Sequence, residues 1–455
     1  MRSWIRQSRR RAPRGRLMPV TPTPSGPAAR AGGSRSLHLS ELLRRPLTDK
    51  HGGSIGRLSD VIVRLRGADF PVVTGLVASV AGRALFVPID QLASLEGAEL
   101  RLMSARLDLR QFERRDGEVL LRADVLGHRL IDVESAQLIR AGDLELAARD
   151  GEWVVTGVDI HHRPRRLLGG LPGGTARAHP FREWARFEPL IGHARSAVLR
   201  RPFARIHRLK PAQIADLLED ASKEEETEIL GQVHADPELE ADVFEELDED
   251  RATRLLGART DAEIAEVLAR MRADDAADAI AELPQRRRQP VIDLLPAGQR
   301  AKVLTLMGFN PTSAGGLMGM DFVTVPTQAT VGEAIAAVAS SASLQPEALT
   351  SVHVLDDRGR LRGVARLVAL VQSDAAAPVT DVLDEDPVRV GASTDVVDVA
   401  VLMSDYNLIT IPVVDERRTM IGVITVDDVL EVTLPDAWRR REAAERPDAR
   451  GGEPA

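Results

Sequence analysis

A chain of 455 residues has room for about three domains, and 44% apolar residues suffice to build their cores. Aromatics make up only 3%, so those cores are aliphatic, and the absence of cysteine excludes disulfides, thiolate metal sites and cysteine nucleophiles. The net charge of −8 is unevenly spread: residues 1–40 hold nine arginines and no acid, which leaves the remainder more acidic than the total suggests.

The head is broken by Pro19, Pro22, Pro24, Gly26 and Pro27 and is too polar to fold, so residues 1–36 are expected to form a disordered arm. A transit peptide, a polyanion-binding arm and an over-extended translation start with Met18 as the true one all stay open. The arm lacks the apolar h-region of a secretory signal. A transmembrane helix needs about 20 predominantly apolar residues. The nearest approach, Val303–Met320, is uncharged but contains Asn310, Pro311, Thr312, Ser313 and four glycines, and reads as a helix end and a loop. The expectation is a soluble cytoplasmic chain, with or without association to a membrane surface, that cannot conduct an ion by itself.

Residues 37–162 carry strand signals. Ser59-Asp60-Val61-Ile62-Val63-Arg64-Leu65 and Val72-Val73-Thr74-Gly75-Leu76-Val77 alternate or run apolar between glycine-containing breaks. Leu42-Leu43-Arg44 followed by Ile55–Val61 recurs loosely as Leu120-Leu121-Arg122 followed by Ile131–Ile139, which suggests a duplicated small β unit. A basic joint follows over 163–193, with Arg163, Arg165, Arg166 and the run Gly169-Gly170-Leu171-Pro172-Gly173-Gly174, and reads as a linker. Its arginines could meet lipid headgroups, but solvation is the plainer reading and no nucleic-acid partner is expected.

From 194 to 310 the pattern is helical. Ile214, Leu217 and Leu218, then Ile229, Leu230 and Val233, then Ile264, Val267, Leu268 and Met271 recur at helical spacing between prolines, as in a superhelix of short hairpins. A tandem αβ repeat follows over 311–375 and 376–435. Val352-His353-Val354-Leu355-Asp356 with Gly363-Val364-Ala365 matches Ile411-Pro412-Val413-Val414-Asp415 with Gly422-Val423-Ile424, each strand pair preceded by a helix. A charged tail, 436–455, closes the chain.

Three resemblances follow from these residues. The tandem repeat, above all Thr410–Asp415 with Gly422–Val429, resembles a CBS pair. Asn310-Pro311-Thr312-Ser313-Ala314-Gly315-Gly316-Leu317-Met318 and Met271-Arg272-Ala273-Asp274-Asp275-Ala276-Ala277-Asp278 resemble the N-terminal domain of MgtE-family magnesium transporters and its junction to their CBS pair. The β region resembles a pair of PRC-barrel modules, the second degenerate. The expected architecture is therefore a PRC-barrel-like β domain, an all-α superhelical MgtE-N-like domain and an α/β CBS pair. In that family a membrane channel normally comes next, whereas here Val432 is followed by the charged tail, so the chain looks like the sensor without the transporter.

On a helix Asp274 and Asp278 lie four apart and face the same way, and two like charges there are unfavourable by a few tenths of a kcal/mol. Mg²⁺ would relieve them, since it takes oxygen ligands, keeps several waters and needs only one or two carboxylates. The plainer reading makes Asp274 a helix cap and Asp275 and Asp278 a solvated face near the positive helix end. The resemblance implies that Mg²⁺ lies between this surface and Asp428 with Glu431 on the last helix, with Asp242 as a further carboxylate. Thr425 with Asp428 also reads as a capping box. Val397 and Asn407 stand where the family carries carboxylates in its CBS pair, so a further metal site there is not expected.

CBS pairs also hold adenine nucleotides. Gly422-Val423-Ile424-Thr425-Val426-Asp427-Asp428 fits that signature, with Thr425 toward the phosphates, Asp428 on the ribose and Leu408 against the adenine; ATP or a related nucleotide is thus an alternative ligand. No enzyme is expected. His161-His162 has no third ligand at metal spacing, and no phosphate-binding glycine loop or Gly-x-Ser-x-Gly elbow is present. The reading is a non-enzymatic Mg²⁺-sensing regulator, homodimeric through the CBS pair, with Val399, Ala400 and Met403 offering apolar surface. An unidentified protein partner would dock on the β domain. The alternatives are a scaffold or nucleotide-responsive adaptor, and an accessory subunit of a separate magnesium channel.

Overall fold

The computed structural model describes residues 36–66, 69–103, 110–115, 117–160, 181–190, 205–341 and 344–434. The arginine-rich arm, His161-His162, the basic joint at 163–174 and the tail from 436 lie outside them. Among the described residues no helix is long and apolar enough to cross a membrane.

The N-terminal region is a β domain. Its main sheet contains β1 (Leu37–His38), β2 (Pro46–Thr48), β3 (Ser54–Arg66), β4 (Asp69–Val80), β5 (Arg83–Pro88), β6 (Leu100–Arg101), β7 (Glu118–Leu120), β10 (Asp143–Arg149), β11 (Glu152–Asp159) and β12 (Arg182–Glu183). The order is β1-β10-β11-β4-β3-β2-β6, with β5 on β4, β7 on β3 and β12 on β11. A smaller sheet sets β8 (Arg129–Asp132) between β9 (Gln137–Arg140) and β13 (Phe187–Pro189). Two parts of the main sheet pair in matching ways. The hairpins β3–β4 and β10–β11 share the run Val-Val-Thr-Gly, at Val72–Gly75 and Val154–Gly157, and meet at Val72 opposite Val154.

Each hairpin is completed by a segment from the other half. Buried Asp60 on β3 accepts the N–H groups of Arg122 and Ala123 at 2.7 and 3.0 Å, opening the helical turn Leu121–Val125. Buried Asp143 on β10 accepts the N–H of Ser40 at 3.0 Å in the turn α1 (Leu39–Leu42). The equivalence therefore aligns Asp60 with Asp143, and the expected match of Ile55–Val61 to Ile131–Ile139 is corrected: Ile131–Ile139 covers most of the β8–β9 hairpin. The β domain also extends past 162. Trp184 and Phe187, in the stretch expected as linker, are among its largest fully buried side chains.

Eight helices follow among the described residues: α2 (Pro211–Asp220), α3 (Lys223–Val233), α4 (Pro237–Glu245), α5 (Glu249–Gly257), α6 (Asp261–Leu268), α7 (Ala273–Glu282), α8 (Gln285–Leu294) and α9 (Ala297–Leu306). Local chemistry sets their ends. Pro211 and Pro237 begin α2 and α4, where a missing N–H does no harm, and Ser222 with Glu225 and Thr260 with Glu263 form capping boxes on α3 and α6. The predicted stripe is buried: Ile214, Leu217, Leu218, Ile229, Val233, Ile264, Val267 and Leu268 share one core. That core takes in Ile131 and Leu190 of the β domain at one place and Val399, Ile411 and Ile424 of the second αβ repeat at another. Arg129 on β8 adds ion pairs to Asp220, at 2.9 Å, and to Glu225.

The junction Asn310–Met318 docks on the second repeat. Its short helix α10 (Ala314–Leu317) hydrogen-bonds back through the N–H groups of Ala314 and Gly315 to the carbonyls of Thr394 and Ala392, each at 2.8 Å. Contact here is too close for side chains. A Cβ on Gly316 would lie 2.4 Å from the Asn310 carbonyl oxygen, and one on Gly422 would lie 2.6 Å from Met318 Sδ. The repeats themselves are β14 (Thr324–Pro326), α11 (Val331–Ser340), β15 (Ser351–Leu355), β16 (Leu361–Arg366), α12 (Leu367–Val371) and then β17 (Val390–Gly391), α13 (Val396–Tyr406), β18 (Thr410–Val414), β19 (Met420–Thr425), α14 (Val426–Thr433). Each sheet has one parallel and one antiparallel pairing, and both hairpins carry an irregularity at the same place, Val354/Leu355 and Val413/Val414. On α13, Val399 and Met403 are buried, contrary to the expected apolar surface; Val397 and Val401 are the exposed ones.

His353 on β15 is fully buried, with Nδ1 3.2 Å from the Val323 carbonyl and Nε2 without a partner. Burial lowers its pKa from 6.5 to about 4. Between those values the unfolded chain takes up a proton that the folded chain refuses, so stability falls as pH drops through this window, by about 1.4 kcal/mol per pH unit. Chemical denaturation at pH 6.5 and 5 should show wild type losing more stability than His353→Leu by roughly that amount.

Candidate functional site

Two acidic helix starts face one another across the boundary between the helical region and the second repeat. Helix α7 presents Asp274, Asp275 and Asp278, and α14 presents Asp428 and Glu431. The cleft between them has a volume of about 530 Å³. Ten carboxylates line it, Glu245, Asp248, Glu249, Asp250, Asp274, Asp275, Asp278, Glu282, Asp428 and Glu431, against one basic side chain, Arg272.

Arg272 immediately precedes α7. Its backbone N–H donates to Glu245 at 2.6 Å, and its guanidinium stands 2.7 Å from Asp275, 3.0 Å from Asp428 and 3.4 Å from Glu245. The other oxygen of Asp428 accepts the N–H and hydroxyl of Thr425 at 2.9 and 2.8 Å, so the expected capping box is present and both Asp428 oxygens are engaged. Asp274 differs. Its Oδ1 is buried with no hydrogen-bond partner.

Charge crowding shows in the ionisation of the cleft. Burial, with Arg272 opposing and Asp428 adding, pushes Asp274 up to about 6. Burial and the neighbouring Asp274 carboxylate hold Asp275 well above the usual range. Glu245 reaches about 7 by burial, partly offset by Arg272. Asp278 is raised to about 6 by packing and by Asp274, Glu249 and Glu431. Its side chain is exposed at the rim, where water screens that push, so Asp274 makes the stronger case for a bound cation. Burial would by itself lower the pKa of Arg272, but the surrounding carboxylates more than reverse this.

Of the residues expected from sequence, Asp274, Asp278, Asp428 and Glu431 are brought to one cleft. Asp242 on α4 is not part of its lining; burial and then Glu238 and Asp236 raise its pKa, while the Arg272 charge opposes them. Among the described residues no three carboxylates or histidines are grouped so as to hold one metal ion. Sequence reasoning missed Arg272 and Glu245. Arg272 stood in the quoted acidic segment three residues before Asp275, a spacing that pairs charges on a helix; Glu245 carried no signal.

The fold and cleft define a multidomain chain in which a helical domain packs on a tandem αβ pair. Residues 209–312 match the MgtE intracellular N domain and residues 379–434 the CBS domain, so the chain carries both and is related to the cytosolic domains of MgtE magnesium transporters. It is 36% identical over 169 residues to the magnesium transporter MgtE of Thermus thermophilus, covering 36% of this chain and 37% of that one. It is 27% identical over 164 residues to the Bacillus subtilis protein of the same name, covering 36% of each. The chain thus spans little more than a third of the length of these curated relatives. A crystal structure of the cytosolic domain of the Mg²⁺ channel MgtE in complex with ATP is 30% identical, with a TM-score of 0.47, covering 50% of this chain and 92% of that one.

Carboxylates with raised pKa values stabilise the folded state fully at low pH and lose that contribution as pH rises through about 6–7. In chelator, the melting midpoint of wild type should therefore fall between pH 6 and 8. The double change Glu245→Gln plus Asp274→Asn should flatten this dependence; differential scanning fluorimetry across that range checks it.

Proposed function

We propose that this chain is a non-enzymatic Mg²⁺-responsive regulatory protein, in which ions in the carboxylate cleft favour apposition of the helical domain and the second CBS repeat. One observation carries the reading: ten carboxylates against a single arginine in a cleft between two domains, with a buried, unpartnered Asp274 oxygen inside it. Hard oxygen donors suit Mg²⁺, and an ion that keeps most of its water needs one or two carboxylates, not three. Asp274 with Asp278 on one wall, or Glu431 on the other, are the residues that would hold such ions, one or two carboxylates to each. A bound ion would supply counter-charge across the cleft, and a ligand that prefers one arrangement shifts the population by its differential affinity.

The CBS pair would dimerise through the face carrying exposed Val397, Val401, Leu430 and Val432. The β domain, with a core of its own, is read as a duplicated PRC-barrel-type unit that receives a protein partner. Adenine nucleotide at Thr425 and Asp428 is the weaker reading, because a ribose would have to displace Arg272 or the capping contacts from Asp428.

Binding to the folded state alone stabilises by about 2.7 kcal/mol at a ligand concentration one hundred times Kd. Millimolar Mg²⁺ should raise the melting midpoint by several degrees, and Asp274→Asn plus Asp278→Asn should remove that rise. Calorimetry showing heat with ATP and none with Mg²⁺ would reject the reading in favour of the nucleotide.

A further inference from the structure

The guanidinium of Arg272 belongs to the helical domain by chain position but is shared with the second repeat by contact. It reaches Asp428 on α14 at 3.0 Å while standing 2.7 Å from Asp275 on its own helix. Glu245 on α4 holds it from behind, through the backbone N–H at 2.6 Å and the side chain at 3.4 Å. Three helices thus converge on one positive charge, and the side chain is only about a quarter exposed. A guanidinium presents five donors in a fixed fork and stays charged at all working pH values, so it can bridge several carboxylates as a cation would. It differs from a free ion in being covalently attached: chelation cannot remove it, and its local concentration does not fall on dilution.

We infer that Arg272 is a resident counter-ion that keeps the helical domain against the second CBS repeat without metal and takes the place of one divalent ion in the cleft. Asp428 is then committed, one oxygen to the Thr425 cap and the other to Arg272. Added ions are left to the Asp274 side, where Oδ1 has no partner. The metal-counting half of this inference rests on the Mg²⁺ reading above; the latch half does not.

The test uses the full chain, with wild type and Arg272→Ala compared by small-angle scattering in chelator and in millimolar Mg²⁺, and Mg²⁺ stoichiometry measured by calorimetry. In chelator Arg272→Ala should have a larger radius of gyration than wild type, and Mg²⁺ should return it to the wild-type value. It should also bind one more Mg²⁺ per chain than wild type, a change that a merely structural role for the arginine would not produce. Arg272→Lys, a point charge without the fork, should fall between the two in dimensions. Equal dimensions of Arg272→Ala and wild type in chelator would overturn the latch, and equal stoichiometry would overturn the counter-ion role. If neither protein binds Mg²⁺ yet the variant still expands, the latch stands and the Mg²⁺ reading fails. Should Arg272→Ala not fold, Asp428→Asn breaks the same ion pair from the other side while leaving an acceptor oxygen for the Thr425 cap, and the same expansion in chelator is required of it.

Discussion

Repulsion between two acidic surfaces is the constraint on which the arrangement of this molecule depends. Helix α7 and helix α14 both begin with aspartates, as helices favour at their positive ends, and what suits each helix alone brings like charges together when they meet. At an effective dielectric of about 20, two such charges 4 Å apart repel by about 4 kcal/mol. The apolar contacts joining the helical region to the second repeat, through Ala314 and Met318 in the shared core, act in opposition to that repulsion. Arg272 and the raised carboxylate pKa values are two ways in which the cleft sheds negative charge.

The junction motif matters to this balance because it fixes where the two surfaces meet. Backbone hydrogen bonds from Ala314 and Gly315 pin the junction to the loop preceding α13, and the missing side chains at Gly316 and Gly422 let Met318 and Asn310 close in. Even a methyl group there would overlap the Asn310 carbonyl oxygen or Met318 Sδ, so the junction would have to shift. Electrostatics in the cleft are thus set partly by glycines that carry no charge.

Much of this was legible in the sequence. The helical stripe Ile214, Leu217, Leu218 and the tandem strand pairs repeat at spacings that only their own folds satisfy, and the capping box of Thr425 with Asp428 is written in adjacent residues. That the two acidic runs face each other was implied only by the resemblance to MgtE; their positions at helix starts do not show it. What escaped was everything fixed by contact between distant segments. The partnership of Arg272 with Glu245 and Asp428 needs three helices placed in space, and 156 residues separate the ion pair. The β domain hid its symmetry for the same reason: Leu-Leu-Arg recurs visibly, but the equivalence of Asp60 and Asp143 lies in what each receives from the other half. Trp184 and Phe187 were masked by a neighbouring glycine-rich joint whose composition dominated the reading.

That exchange between halves bears on how the β domain comes to be made. The turn beginning at Ser40 finds its acceptor on Asp143, 103 residues later, and the turn at Arg122 reaches back 62 residues to Asp60. Each helical turn takes the acceptor for its leading N–H groups from the other half. A chain emerging from the ribosome therefore holds a long, incomplete sheet with open edges until β10 has been synthesised, and the pocket for Trp184 stays unfilled for some forty residues more. Contacts of such sequence separation carry a large loop-closure entropy and slow folding accordingly. By this topology the β domain must wait for its own C-terminal strands before its core is complete.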